Sequence, residues 1–141
     1  MRRGFNDRVS SNNISGQIPA EIGTWDMCCL LNLANNEISG IHEDFGYMTA
    51  LTELNLGYNK LEDLHENVGY LFSLCTLLLA YNKIKKLPEH LDELVDLTEI
   101  YLNGNPLHGG LPSSLWNLDE LVKLHLGNTG LVDEVSYSMI S

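Results

Sequence analysis

The chain has 141 residues, 44% of them apolar, and 19 acidic against 8 basic side chains give a formal net charge of −11. That length suits one domain or one continuous stack of short repeats, and the apolar share suits a folded core rather than disorder. Such acidity argues against nucleic acid, which needs a basic footprint, and no run approaches the roughly 18 apolar residues of a membrane helix, so direct membrane insertion is not expected.

Residues 1–8, MRRGFNDR, carry basic residues with no apolar stretch behind them, which is not the pattern of a secretory signal. Val9, Asn12 and Ile14 then begin a spacing that governs the rest. Gly4 and Asp7 stand where its first two apolar residues belong, so the first strand is expected to be short or frayed. The spacing is clearest at 51–61, LTELNLGYNKL, which fits L-x-x-L-x-L-x-x-N-x-L and returns at 74–84 and 97–107. Between Leu33, Leu56, Leu79, Leu102 and Leu126 the steps are 23, 23, 23 and 24 residues. A fixed period in this range is an internal repeat and decides the architecture.

The pattern resembles the leucine-rich repeat over nearly the whole chain. Residues 14–23, ISGQIPAEIG, are similar to the L-S-G-x-I-P-x-x-L-G signature of plant-type repeats, and 109–115, GGLPSSL, return to that form. Leu87-Pro88-Glu89 resembles the L-P-x-x-L form of intracellular members, while 39–45 start like the plant form and lose one residue and the proline. The resemblance implies an α/β, right-handed solenoid of about six repeats, with a concave parallel β-sheet and convex turns or short helices. The repeats fall near 4–27, 28–50, 51–73, 74–96, 97–120 and 121–141, in a single domain. No polar terminal cap is legible, although solenoids normally need one, so a fragment, or a chain covered by partners at its edges, is expected.

Side-chain polarity assigns the slots. The L-x-L alternation is that of a strand with its leucines inward, and stacking closes each leucine row against the next. The returning segments supply Leu64, Val68 and Leu71, then Leu87, Leu91 and Leu94, at a spacing that suits 3₁₀ turns. Asn12, Asn36, Asn59, Asn82 and Asn105 sit where the chain leaves each strand, so their side chains are expected to bond backbone groups of neighbouring repeats as a structural ladder. Thr129 takes that slot in the sixth repeat, and Val135 and Met139 continue the apolar spacing. Cys28 falls in a core slot, and three cysteines, two of them adjacent, do not make a disulfide framework. An intracellular, reducing compartment follows as the expectation.

Alternation also names the outward rows: Asn32, Asn55, Leu78, Tyr101 and His125; Leu30, Glu53, Thr76, Glu99 and Lys123; and Asn35, Tyr58, Tyr81, Gly104 and Asn128. Tyrosine brings a large apolar body with a polar tip and is enriched at binding hot spots. The candidate partner-binding face is therefore Asn32, Asn55, Tyr58, Leu78, Tyr81, Glu99, Tyr101, Lys123 and His125, with Leu78 expected to be exposed among the tyrosines. His42, His65, His90 and His108 are expected to be solvated surface, because none has a partner at ligand spacing. No catalytic residue, cofactor or metal site is expected. The function that follows is a non-catalytic module binding a protein or peptide on the concave face. Two other readings stand beside it: a permanent structural subunit of a multi-subunit complex, and a ligand-sensing ectodomain fragment of a plant-type receptor.

Overall fold

A computed structural model of the chain describes residues 13–131 together with the backbone of 6–8. Asn12, Val135 and Met139 lie outside the described residues. Six parallel strands form the main sheet in the order β1 (Asn6–Arg8), β3 (Leu30–Asn32), β5 (Glu53–Asn55), β6 (Thr76–Leu78), β7 (Glu99–Tyr101) and β8 (Lys123–His125). Neighbouring strands pair without slippage, Leu31 opposite Leu54, Leu54 opposite Leu77 and Leu77 opposite Ile100. The first strand is three residues long like the others of this sheet, and so is no shorter than they are.

The middle residue is buried and its flanks are half-buried in β3, β5, β6 and β7. Chain-to-chain bonding continues past the strand ends: Leu56 N–H donates to the Leu78 carbonyl at 2.8 Å, and Tyr58 N–H to the Ala80 carbonyl at 2.8 Å. On the entry side, Thr52 and Thr98 use their hydroxyls to bond the Cys29 and Cys75 carbonyls of the preceding repeat, at 3.1 and 3.0 Å. Among the described residues five 3₁₀ segments line the opposite side: η1 (Ala20–Thr24), η2 (Glu43–Tyr47), η3 (Glu66–Tyr70), η4 (Leu91–Glu93) and η5 (Ser113–Asn117). Between the two layers lies one continuous core, in which Leu33, Leu56, Leu79 and Leu102 stack in one row and Phe45, Val68, Leu91 and Leu115 in another. Cys28 is fully buried in the slot its spacing assigned. Leu121, Leu124 and Leu126 are only partly buried against this core.

The asparagines do the work of a turn-by-turn bolt. Asn82 Oδ1 accepts from Leu61 N–H at 2.9 Å, while its Nδ2 donates to the Leu56 carbonyl of the preceding repeat at 2.9 Å and to Leu79 of its own at 3.1 Å. Asn59 and Asn105 repeat this arrangement, and Asn36 Oδ1 accepts from Ile14 N–H. All four are buried. To aim these side chains inward the preceding residue turns left-handed: Asn35, Tyr58, Tyr81 and Asn128 have φ of 56–59°, and Gly104 has 79°. Such a conformation costs a side-chain-bearing residue about 1–2 kcal/mol.

A second, smaller sheet pairs β2 (Ser15–Ile18) with β4 (Glu37–Ile41) on the returning side of the first two repeats. It ends at β4, because the equivalent stretch of the third repeat, 60–64, is not extended into a strand.

Candidate binding face

The register of the main sheet sets the outward rows side by side. Asn32, Asn55, Leu78, Tyr101 and His125 are consecutive partners across five strands, as are Leu30, Glu53, Thr76, Glu99 and Lys123. Within those rows the side chains organise into separate units.

The first unit is Tyr58 and Tyr81. Both sit just beyond their strands in the left-handed conformation, and their rings stack with centroids 4.8 Å apart and planes 20° from parallel. They are 54% and 41% exposed, so the stack presents a rigid aromatic surface to solvent. Stacking at this distance contributes about 0.5–1.5 kcal/mol beyond burial, comparable with the backbone cost at one of the two positions.

The second unit is Tyr101 and His125, whose rings stack at 4.3 Å and 8°. The Tyr101 hydroxyl donates to Glu99 Oε2 at 2.8 Å, and Lys123 Nζ holds Glu99 Oε1 at 3.3 Å. That hydroxyl, foremost, and the Lys123 ammonium hold the Glu99 carboxyl below its usual range. Conversely, donation to Glu99 is the main cause that raises the Tyr101 phenol, with desolvation and the Glu99 charge adding to it. The three tyrosines singled out by spacing thus do not form one cluster, since Tyr101 stacks on His125 and not on Tyr81.

Leu78, expected to be exposed, is half-buried in the row between Asn55 and Tyr101. Asn32 and Asn55 turn their Oδ1 atoms to the backbone, accepting from Ala34 and Gly57 N–H at 3.0 Å each. Those bonds fix the two amides and leave their amino groups without a partner among the described residues.

Two features escape spacing. His42 and His65, expected as solvated surface, cap η2 and η3: each Nδ1 accepts a backbone N–H, from Asp44 at 3.2 Å and Asn67 at 3.1 Å, and His65 Nε2 lies 3.4 Å from Glu43 Oε2. They occupy the slot that Pro19, Pro88 and Pro112 hold in other repeats, and satisfy amides that the 3₁₀ turn leaves open. The other is an aromatic groove of about 390 Å³ on the returning side, lined by Tyr47, Tyr70 and Phe72, with Tyr70 and Phe72 edge to face at 6.4 Å. Tyr47 and Tyr70 are 23 residues apart, so aligning the repeats by their convex halves brings out this pair. Among the described residues no group of three or more His, Cys, Asp or Glu is placed to hold a metal ion, and no helix is long and apolar enough to cross a membrane.

Residues 49–107 match the family model described as leucine rich repeat. A plant peptide hormone receptor, RGFR1, solved in complex with RGF2, superposes with a TM-score of 0.79 at 30% identity over 92% of this chain and 22% of its own. A leucine-rich repeat protein of Leptospira interrogans (TM-score 0.61, 27% identity) and an internalin of Listeria monocytogenes (0.61, 21%) are covered over 34% of their lengths by 80% and 78% of this chain. No curated protein matches the sequence. This chain belongs to the leucine-rich repeat proteins and has their solenoid fold. Domains of this family are typically protein–protein interaction modules and generally not enzymes. The chain spans only about a fifth of the receptor it resembles.

Proposed function

We propose that this chain is a non-catalytic interaction module that binds a protein or peptide segment on its concave sheet, with the Tyr58–Tyr81 stack as the anchor. The observation that carries this reading is that two exposed tyrosines are held in a costly left-handed backbone conformation and locked ring to ring. A rigid aromatic surface loses little conformational entropy on binding, which favours it as a contact. Asn32 and Asn55, with fixed carbonyls and available amino groups, add polar recognition beside it. Tyr101, His125, Glu99 and Lys123 form a satisfied polar rim on the other side.

The test uses the chain as bait on its native extract, comparing the wild type with the Tyr58→Ala/Tyr81→Ala variant. A stoichiometric partner retained by the first and lost by the second, with unchanged far-ultraviolet circular dichroism, supports the reading. Equal retention by both moves the site off this face.

A second reading, a ligand-sensing segment of a receptor, is favoured by the 30% identity to a peptide hormone receptor over most of this chain. Compartment separates the two. The free thiols of Cys28, Cys29 and Cys75 support a reducing, intracellular setting for the interaction module. Thiol trapping of the protein in intact source cells decides between them: labelling of Cys29 and Cys75 at the cell surface by an impermeant reagent assigns the receptor reading.

A further inference from the structure

We propose that the free edge of β4, in the cleft between the second and third repeats, docks an extended cationic segment of a partner protein as a third strand of the smaller sheet. Among the described residues the smaller sheet holds β2 and β4 alone. On its far side the backbone of β4 bonds the third repeat at Ile38 among the described residues: its N–H donates to Asn59 Oδ1 at 2.9 Å and its carbonyl accepts from Lys60 N–H at 2.8 Å. Beyond that point the repeats part. Ser39 and Gly40 are extended, whereas Glu62 and Asp63 occupy the equivalent positions 23 residues on and form no strand. The segments diverge around a solvent-open cleft of about 620 Å³, with Ser39, Gly40 and Ile41 on one wall and Glu62, Asp63 and Leu64 on the other.

An unpaired strand edge offers main-chain groups to any extended chain, so the flanking side chains decide which one it accepts. Here Glu43 and Glu66 join Glu62 and Asp63 around the cleft, and no lysine or arginine lines it. Lys60, at its rim, is held by Glu37 at 3.2 Å. Glu62, Asp63 and Glu66 have no cationic partner among the described residues, and Glu43 faces only His65. The field of these carboxylates repels a second copy of this chain, which carries −11, and attracts lysine and arginine. The register of β4 against β2 shifts at Ser39, so residues 39–41 offer only a broken ladder of about 10 Å and a neutral strand gains too few bonds to stay. Side chains of an extended segment alternate between faces. The segment that fits therefore alternates basic with apolar residues, the apolar ones meeting the half-buried Ile41 and the basic ones the carboxylates.

This site is independent of the concave face, and a chain that uses both joins two partners. The probe is acetyl-KVKVKVK-amide, titrated into the ¹⁵N-labelled chain and followed by amide chemical shifts. A control peptide is N-methylated at its three central peptide bonds, which keeps the charge and removes donors from both strand edges. The expected result is shifts centred on Ser39, Gly40, Ile41 and Glu62 to His65, with binding about tenfold or more weaker for the control and for the Glu62→Lys/Asp63→Lys variant. Both substituted positions are exposed, so the variant retains its fold. The Tyr58→Ala/Tyr81→Ala variant binds the probe as the wild type does. Equal affinity for probe and control shows charge attraction without strand addition and overturns the proposal, as do shifts confined to Tyr58 and Tyr81 or an unaffected charge-reversed variant.

Discussion

The ring of Tyr81 lies where a side chain on Gly104 would stand: a Cβ built there falls 2.5 Å from Tyr81 Cδ1. Gly104 is therefore required twice, once by its φ of +79° and once by the tyrosine of the preceding repeat. The ring is packed between the Gly104 backbone and Tyr58, which explains how an exposed pair keeps one orientation. Gly104→Ala is expected to destabilise the chain by about 1–3 kcal/mol through backbone strain and to displace Tyr81. Urea unfolding reads the first effect and the near-ultraviolet tyrosine signal the second. An unchanged tyrosine spectrum in the variant would mean that Gly104 does not hold the stack.

Glu99 and Tyr101 give the sheet face its pH dependence. Because the folded protein holds the Glu99 carboxyl below its unfolded value, the stability it contributes is present above that value and is lost as pH falls through the folded one. Tyr101 has the opposite sign: its raised phenol contributes fully below the unfolded value, and the contribution is lost as pH rises through the folded one. Spectrophotometric titration of the wild type against Tyr101→Phe isolates this phenol, which is expected to ionise above the usual tyrosine range. Glu99→Ala removes the acceptor that chiefly raises it, together with its charge, and brings it down. A Tyr101 transition insensitive to that substitution would contradict the hydrogen bond.

The ladder predicts an asymmetry between repeats. Asn82→Ala removes donation to three carbonyls, those of Leu56, Leu79 and Ala80, and leaves the buried Leu61 N–H without its acceptor, a loss of roughly 2–4 kcal/mol. Thr129, in the equivalent slot, bonds only Leu126 and Leu131 of its own turn among the described residues. Thr129→Ala is expected to cost about 1 kcal/mol or less. Chemical denaturation of the two variants side by side checks the ranking, and similar midpoints would count against the inter-repeat bonds.

Much of the scaffold was legible because a solenoid asks one residue type of one slot, repeat after repeat. Leu54, Leu77 and Ile100 had to face inward once the period was known, and Asn59, Asn82 and Asn105 had to supply amides at the turn. Period-two alternation likewise placed Glu53, Asn55 and Tyr101 outward. Less of the face itself was legible. Spacing grouped Tyr101 with Tyr58 and Tyr81, but ring contacts depend on side-chain direction, which pairs Tyr101 with His125. Spacing also placed His42 and His65 at the solvated surface, where their side chains are 40% and 44% exposed, but not as caps, because an unpaired backbone amide has no signature in the sequence.

The repeat period by itself determined the parallel stack, its leucine core and its asparagine ladder, since each follows from a side chain's polarity at a recurring position. Only the tertiary structure decided that two tyrosines take a left-handed backbone and stack, and that the smaller sheet stops at β4. These depend on how one repeat sits against the next: the ring of Tyr81 needs the open space at Gly104, and a strand exists only where a neighbouring chain lies parallel to pair with it.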